Sequence, residues 1–136
     1  MSDGALTENA WLLKSKVNPF PVGGELAFQD GRLTFELGAL AGEAFVGWVE
    51  EELGTEGLAD RLKAGEKVKA FDHGLDEVEV SWPKLYAGAW MQVEPKGGGR
   101  TWLVAYDYPS GGSIGQTLSL MSGRKKGKAW KKALGV

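Results

Sequence analysis

The chain contains no cysteine. Disulfides, thiolate catalysis and cysteine-based metal centres are therefore excluded. It has one histidine, His73. A histidine-centred dyad needs a nucleophile and an orienting acid beside the ring. Asp72 and Asp76 are near in sequence, but the stretch Asp72-His73-Gly74-Leu75-Asp76 reads as a turn. The same three side chains are too few and too unspecific for zinc. No run approaches the ~20 apolar residues that span a bilayer. The first thirty residues show no basic start followed by an apolar stretch. The expected setting is cytoplasmic, extending at most to peripheral contact with a membrane.

Tryptophan and an uneven spread of charge are what the chain has in quantity. Six tryptophans stand in 136 residues, a length that fits one domain, residues 1–136, with a real core. There are 16 bases and 18 acids. Residues 123–136 hold Arg124, Lys125, Lys126, Lys128, Lys131 and Lys132 and no acid, a charge of +6. The other 122 residues hold 10 bases against 18 acids, a charge of −8. A basic tail on an acidic body suits an anionic partner, or a self-complementary surface.

The strand pattern is densest between Asp76 and Tyr108. Val78, Val80 and Trp82 alternate with Glu77, Glu79 and Ser81, the period-two signature of a half-buried strand. Pro83 ends or bulges that ladder. A strand apolar on nearly both faces follows at 86–94, then a turn at Pro95–Gly99, then a strand with Trp102, Val104, Tyr106 and Tyr108 on one face. Nearer the start, Trp11, Leu13 and Val17 alternate with Leu12, Lys14 and Lys16. Asn18–Gly24 reads as a proline- and glycine-rich loop. Asp30-Gly31 is a two-residue hairpin signal between inward Leu26 and Phe28 and inward Leu33, Phe35 and Leu37. The predicted strands are 10–17, 25–29, 32–37, 67–71, 77–82, 86–94 and 100–108.

The period changes within about 39–64. Phe45, Trp48, Val49 and Leu53 fall at helical spacing, with Glu50, Glu51 and Glu52 mostly on the wet side. Gly54 reads as a helix stop, and Thr55 as the N-cap of a second helix carrying Leu58 and Leu62. A C-terminal helix over about 112–134 carries Ile114, Leu118 and Met121, then Trp130, with a break near Gly123 or Gly127. The alternative is an eighth strand at 113–121. The fold class expected is α+β, mainly β: a seven-stranded bent antiparallel sheet or partly open barrel, capped by a C-terminal helix, with a helical insertion after strand 3.

That arrangement resembles the pleckstrin-homology-like superfold, especially its bacterial and GRAM-type members. The residues that carry the resemblance are GGELAFQDGRLTFEL at 23–37, VEVSWPK at 78–84 and AWKKAL at 129–134. The resemblance implies a helix plugging one end of the sheet, with Trp130 packed on the strands, and binding rather than catalysis. Phosphoinositide-binding members carry bases on the first two strands. Lys14 and Lys16 match the first, but the second strand offers Glu25, Ala27 and Gln29.

No catalytic constellation emerges, and no cofactor or metal is expected. Ser110–Thr117 lacks the first glycine and the lysine of a phosphate loop. Glu50, Glu51 and Glu52 point about 100° apart on a helix and do not converge. The candidate binding residues are Arg124, Lys125, Lys126, Lys128, Lys131 and Lys132, with Lys14 and Lys16. They suit an anionic lipid surface or a protein partner. The segment carries no aromatic stacking platform for nucleic acid. Two alternatives stand: self-association through the helical insertion with Phe45 and Trp48, and a small-ligand pocket lined by aromatics.

Overall fold

The computed structural model describes residues 6–15, 20–42, 44–82, 90–106 and 125–134. Among them seven strands form one sheet: β1 (Leu6–Leu13), β2 (Val22–Gln29), β3 (Arg32–Leu37), β4 (Val68–Gly74), β5 (Val78–Ser81), β6 (Trp90–Pro95) and β7 (Trp102–Ala105). Their order is β4-β3-β2-β1-β7-β6-β5, every pair antiparallel. Helices α1 (Val46–Leu53) and α2 (Leu58–Lys63) lie between β3 and β4. A third helix, α3, covers 125–134. The fold is thus mainly β, an open seven-stranded antiparallel sheet with a helical insertion after β3 and a C-terminal helix.

An odd number of alternating strands leaves the two edges, β4 and β5, pointing the same way. Parallel neighbours need a crossover of a dozen or more residues. Here the link is one 3-10 turn, Leu75–Glu77. The edges therefore meet at a corner and do not pair, and the sheet bends into two layers. The turn is bolted to both. Leu75 N–H donates to Gly31 O on the β2–β3 hairpin (2.9 Å), and Glu77 O accepts from Lys96 N–H at the end of β6 (2.9 Å). Glu77 also accepts from Gly74 N–H through its carboxylate (2.6 Å).

The β2–β3 hairpin follows its sequence signal. Asp30 (φ 54°) and Gly31 (φ 74°) both take the left-handed conformation of a two-residue I′ turn. Leu33, Phe35 and Leu37 are fully buried. β1 starts and ends four residues earlier than the pattern 10–17 predicts. Its core face is Ala10 and Leu12, while Leu13 belongs to a small outer cluster with Leu103 and Ala105, against which Trp11 and Trp90 pack. The period is the same, but the apolar residues occupy both faces, so periodicity does not select the inner one. β2 likewise extends back through Gly23 and Gly24, which read as loop. A Cβ on Gly24 would stand 2.5 Å from the Phe35 ring, and one on Gly23 2.7 Å from Leu40. The two glycines admit bulk on opposite faces of the strand.

β4 runs three residues past its predicted end. His73 is therefore not in a turn but on a strand, half-buried and stacked on Phe71 at 6.2 Å. The 3-10 turn begins only at Leu75. Thr55 does not cap α2. Gly57 stands at that position, and the Glu50 carboxylate accepts the Leu58 N–H (2.8 Å). Gly54 ends α1 in the left-handed conformation expected of it (φ 65°). Phe45 is at the N-cap of α1 and exposed rather than in the core. Predicted features at 83–89 and 107–124, including the alternative strand 113–121, lie outside the described residues. Gly127 is within α3, so no break falls there.

An aromatic chain joins the layers: Phe35 to Phe71 (6.0 Å), Phe71 to Trp102 (5.9 Å), Trp102 to Trp48 of α1 (6.4 Å). Arg100 fastens the insertion to it. Its guanidinium lies 4.9 Å from the Trp48 ring and 5.2 Å from the Trp102 ring, pairs with Glu52, and donates to Lys14 O (2.9 Å). The Trp48 indole N–H donates to Phe20 O (2.8 Å).

Two predictions follow from this packing. Gly24→Ala should lower stability by about 1–3 kcal/mol through overpacking. Gly47→Ala, on α1 with nothing within 4 Å of the added carbon, should raise it by about 0.5–1 kcal/mol. Denaturant midpoints distinguish the two signs. Arg100→Ala should cost about 2 kcal/mol from lost ring contact and charged hydrogen bonding. Arg100→Lys should recover little of that, because an ammonium lacks the planar fork. Equal stability of Arg100→Lys and wild type in the same unfolding assay would contradict this account.

Candidate functional site, the outer face of the C-terminal helix

α3 reads Lys-Lys-Gly-Lys-Ala-Trp-Lys-Lys-Ala-Leu over 125–134. Gly127, Trp130 and Leu134 fall at the 3- and 4-residue spacing of one helix face, and all three are buried. Trp130 has no exposed surface and stacks on Tyr106 at 6.3 Å, with 19° between the rings. Tyr106, just past β7, accepts the Trp82 indole N–H at its hydroxyl (2.8 Å). Burying a tryptophan removes 150–250 Å² from water, worth roughly 4–6 kcal/mol at about 25 cal/mol/Å². The indole N–H of Trp130 has no acceptor among the described residues. That costs about 1–3 kcal/mol, less than the burial contributes.

The lysines divide by helix face. Lys126 turns inward, donating to Tyr106 O (3.2 Å) and lying 3.7 Å from a carboxylate oxygen of Glu8. Lys131 places its ammonium 5.3 Å from the centre of the Trp82 ring. These two flank Trp130 and hold the helix down. Lys125, Lys128 and Lys132 are exposed at i, i+3 and i+7. Three and four residues bring side chains to neighbouring positions on one face, so the three form a row about 10 Å long at 1.5 Å rise per residue. None of the three has an ion pair or hydrogen bond among the described residues.

The other candidate cations do not join this row. Lys14 follows the last residue of β1, with its ammonium 5.7 Å over the Phe20 ring, whereas α3 meets β1 at Glu8 near its start. Six residues of extended strand, roughly 20 Å, separate the two. Arg124 and Lys16 lie outside the described residues, as does Ser110–Thr117.

Of the remaining titratable candidates, Asp72, Glu50 and Glu52 are already engaged. Asp72 accepts from Arg32 (2.8 Å) and Lys69 (3.3 Å). The Arg32 bond holds its carboxyl below the usual range, against a smaller opposing effect of burial. Glu50 caps α2, Glu52 pairs with Arg100, and Glu51 faces solvent. Of the tryptophans, Trp48 alone borders the open surface depression formed with Phe20, Ala44, Phe45 and Gly47. Sequence reasoning missed Arg100. Its signal was a single cation between a glycine run and Trp102, but only the fold brings Trp48 and Glu52 to it.

Burial pushes the Tyr106 hydroxyl well above the ordinary tyrosine value, with the Trp82 N–H a weaker opposing influence. The unfolded chain ionises near pH 10. Tyr106 therefore contributes stability that is whole below about pH 10 and is lost as pH rises toward its folded value. An ultraviolet alkaline titration should show one tyrosine ionising only with unfolding. That late phase should vanish in Tyr106→Phe.

Among the described residues, no helix is long and apolar enough to cross a membrane. Compared with protein-family models and with curated proteins, the chain finds a match in neither.

Proposed function

We propose that this chain is a non-enzymatic binding module of the pleckstrin-homology-like, GRAM-like type. In this reading it docks on an anionic surface through Lys125, Lys128 and Lys132 of α3. The proposed setting is the cytoplasm, with an anionic membrane face or an acidic protein as the partner. The architecture supports the type: a bent seven-stranded antiparallel sheet with β1 at its centre and a C-terminal helix packed by a tryptophan. The observation that carries the function is the division of labour on α3. Two lysines are consumed in holding the helix, while three stand in a row on a rigid, anchored element with no partner among the described residues. A fixed cationic row binds with less ordering cost than a mobile tail.

Each lysine near an anionic membrane contributes roughly 1 kcal/mol. Neutralising three should weaken partition by about 100-fold. The test is co-sedimentation with vesicles of phosphatidylcholine and phosphatidylserine at low and high salt. Wild type is expected to bind the anionic vesicles in a salt-sensitive way, and Lys125→Gln/Lys128→Gln/Lys132→Gln to lose that binding. Equal binding by the two proteins would overturn the lysine row as a membrane-docking surface.

A further inference from the structure

The molecule carries a second charged surface at its other end. Residues 39–66 hold seven acids and two bases, a charge of −5, and residues 125–134 hold five lysines, a charge of +5. Glu51, Glu56 and Asp60 are exposed and form no ion pair among the described residues. The insertion also carries an exposed aromatic residue, Phe45 at the start of α1, 36% exposed and stacked at 5.3 Å on Phe20, which is 38% exposed and has the Lys14 ammonium 5.7 Å over its ring. Phe20 takes a left-handed backbone conformation (φ 38°), costly for a bulky residue. Its carbonyl is held by Trp48.

The two surfaces sit at opposite ends of β7. Trp48 of α1 packs on Trp102 at the start of that strand, and Trp130 of α3 packs on Tyr106 just past its end. Four strand steps, roughly 13 Å, separate those anchors, with Lys125, Lys128 and Lys132 exposed at one and Glu51, Glu56 and Asp60 exposed at the other. Among the described residues, no ion pair joins α3 to residues 39–66 within one copy. Two copies related by a two-fold axis through α3 would set lysine against lysine.

We infer that the lysine row of α3 docks on the acidic α1–α2 end of a second copy of this chain. A single such contact is heterologous and closes into rings or extends as chains, while two made reciprocally close a two-fold dimer. The inference rests on reading the row as a docking face and names the acidic partner it takes.

Sedimentation velocity tests it with two variants that change only exposed side chains. Lys128→Gln/Lys132→Gln spoils the basic end, and Glu51→Gln/Glu56→Gln the acidic end. Wild type should gain mass with concentration at low salt and lose it at high salt, since exposed pairs are screened. Each variant alone should stay monomeric. Their equimolar mixture should give a species of twice the monomer mass and nothing larger, because each partner retains one good end. That rescue also shows both variants to be folded. A wild type that stays monomeric at low salt overturns the inference. So does a mixture that stays monomeric while wild type associates. Vesicle binding by Glu51→Gln/Glu56→Gln separates the two levels. If it binds anionic vesicles while wild type does not self-associate, only this inference falls. If neither vesicles nor a second copy is bound, the docking reading of α3 falls with it.

Discussion

Strand parity governs this molecule. Seven antiparallel strands leave edges that run in the same direction, and the three-residue turn between them is too short for a parallel crossover. The sheet can neither close nor lie flat with its apolar face in water. It bends, and the bend sets two layers around one interior. The turn at Leu75–Glu77 makes the corner firm by bonding to hairpins from both layers. Everything else in the fold fills or covers the space this creates.

Aromatic side chains do most of the filling. Phe35, Phe71, Trp102 and Trp48 run in ring contact from one layer to the helical insertion. At the opposite end, Trp130 of α3 stacks on Tyr106, whose hydroxyl accepts the Trp82 indole N–H. Each aromatic group is finished by a cation on a ring face: Arg100 on Trp48 and Trp102, Lys131 on Trp82. The cations thus serve packing first. That is why the net charge of a segment says little about how many of its charges remain for a partner.

On α3 the charges divide between holding the helix and facing outward. The helix is held by Trp130 and Leu134, by the half-buried Lys126 and by Lys131 over the Trp82 ring, so its outer row is presented on a rigid element. At the far end Glu50 and Glu52 are consumed by a cap and by Arg100, while Glu51 and Glu56 remain exposed. The proposed docking surfaces are what is left after the fold has used the charges it needs.

Much of the architecture is legible in the sequence, because local chemistry dictates it. Asp30-Gly31 accepts positive φ at both residues, so the hairpin and its inward Leu33, Phe35 and Leu37 follow from the turn itself. Period-two runs mark strands, the change of period at residues 39–64 marks the insertion, and Trp130 in a lysine-rich helix announces a packed face. Three kinds of feature needed the tertiary structure. The phase of β1 was open, because Trp11, Leu12 and Leu13 offer apolar surface on both sides and only its neighbours β2 and β7 select Leu12 for the core. The strand character of Gly23-Gly24 was hidden, because a missing Cβ reads as a turn until Phe35 and Leu40 occupy the space. The separation of Lys14 from the α3 row, and the split of five lysines into two that hold and three that face outward, depend on distances across the sheet. Composition counts charges, but only the packed fold decides which of them already have partners.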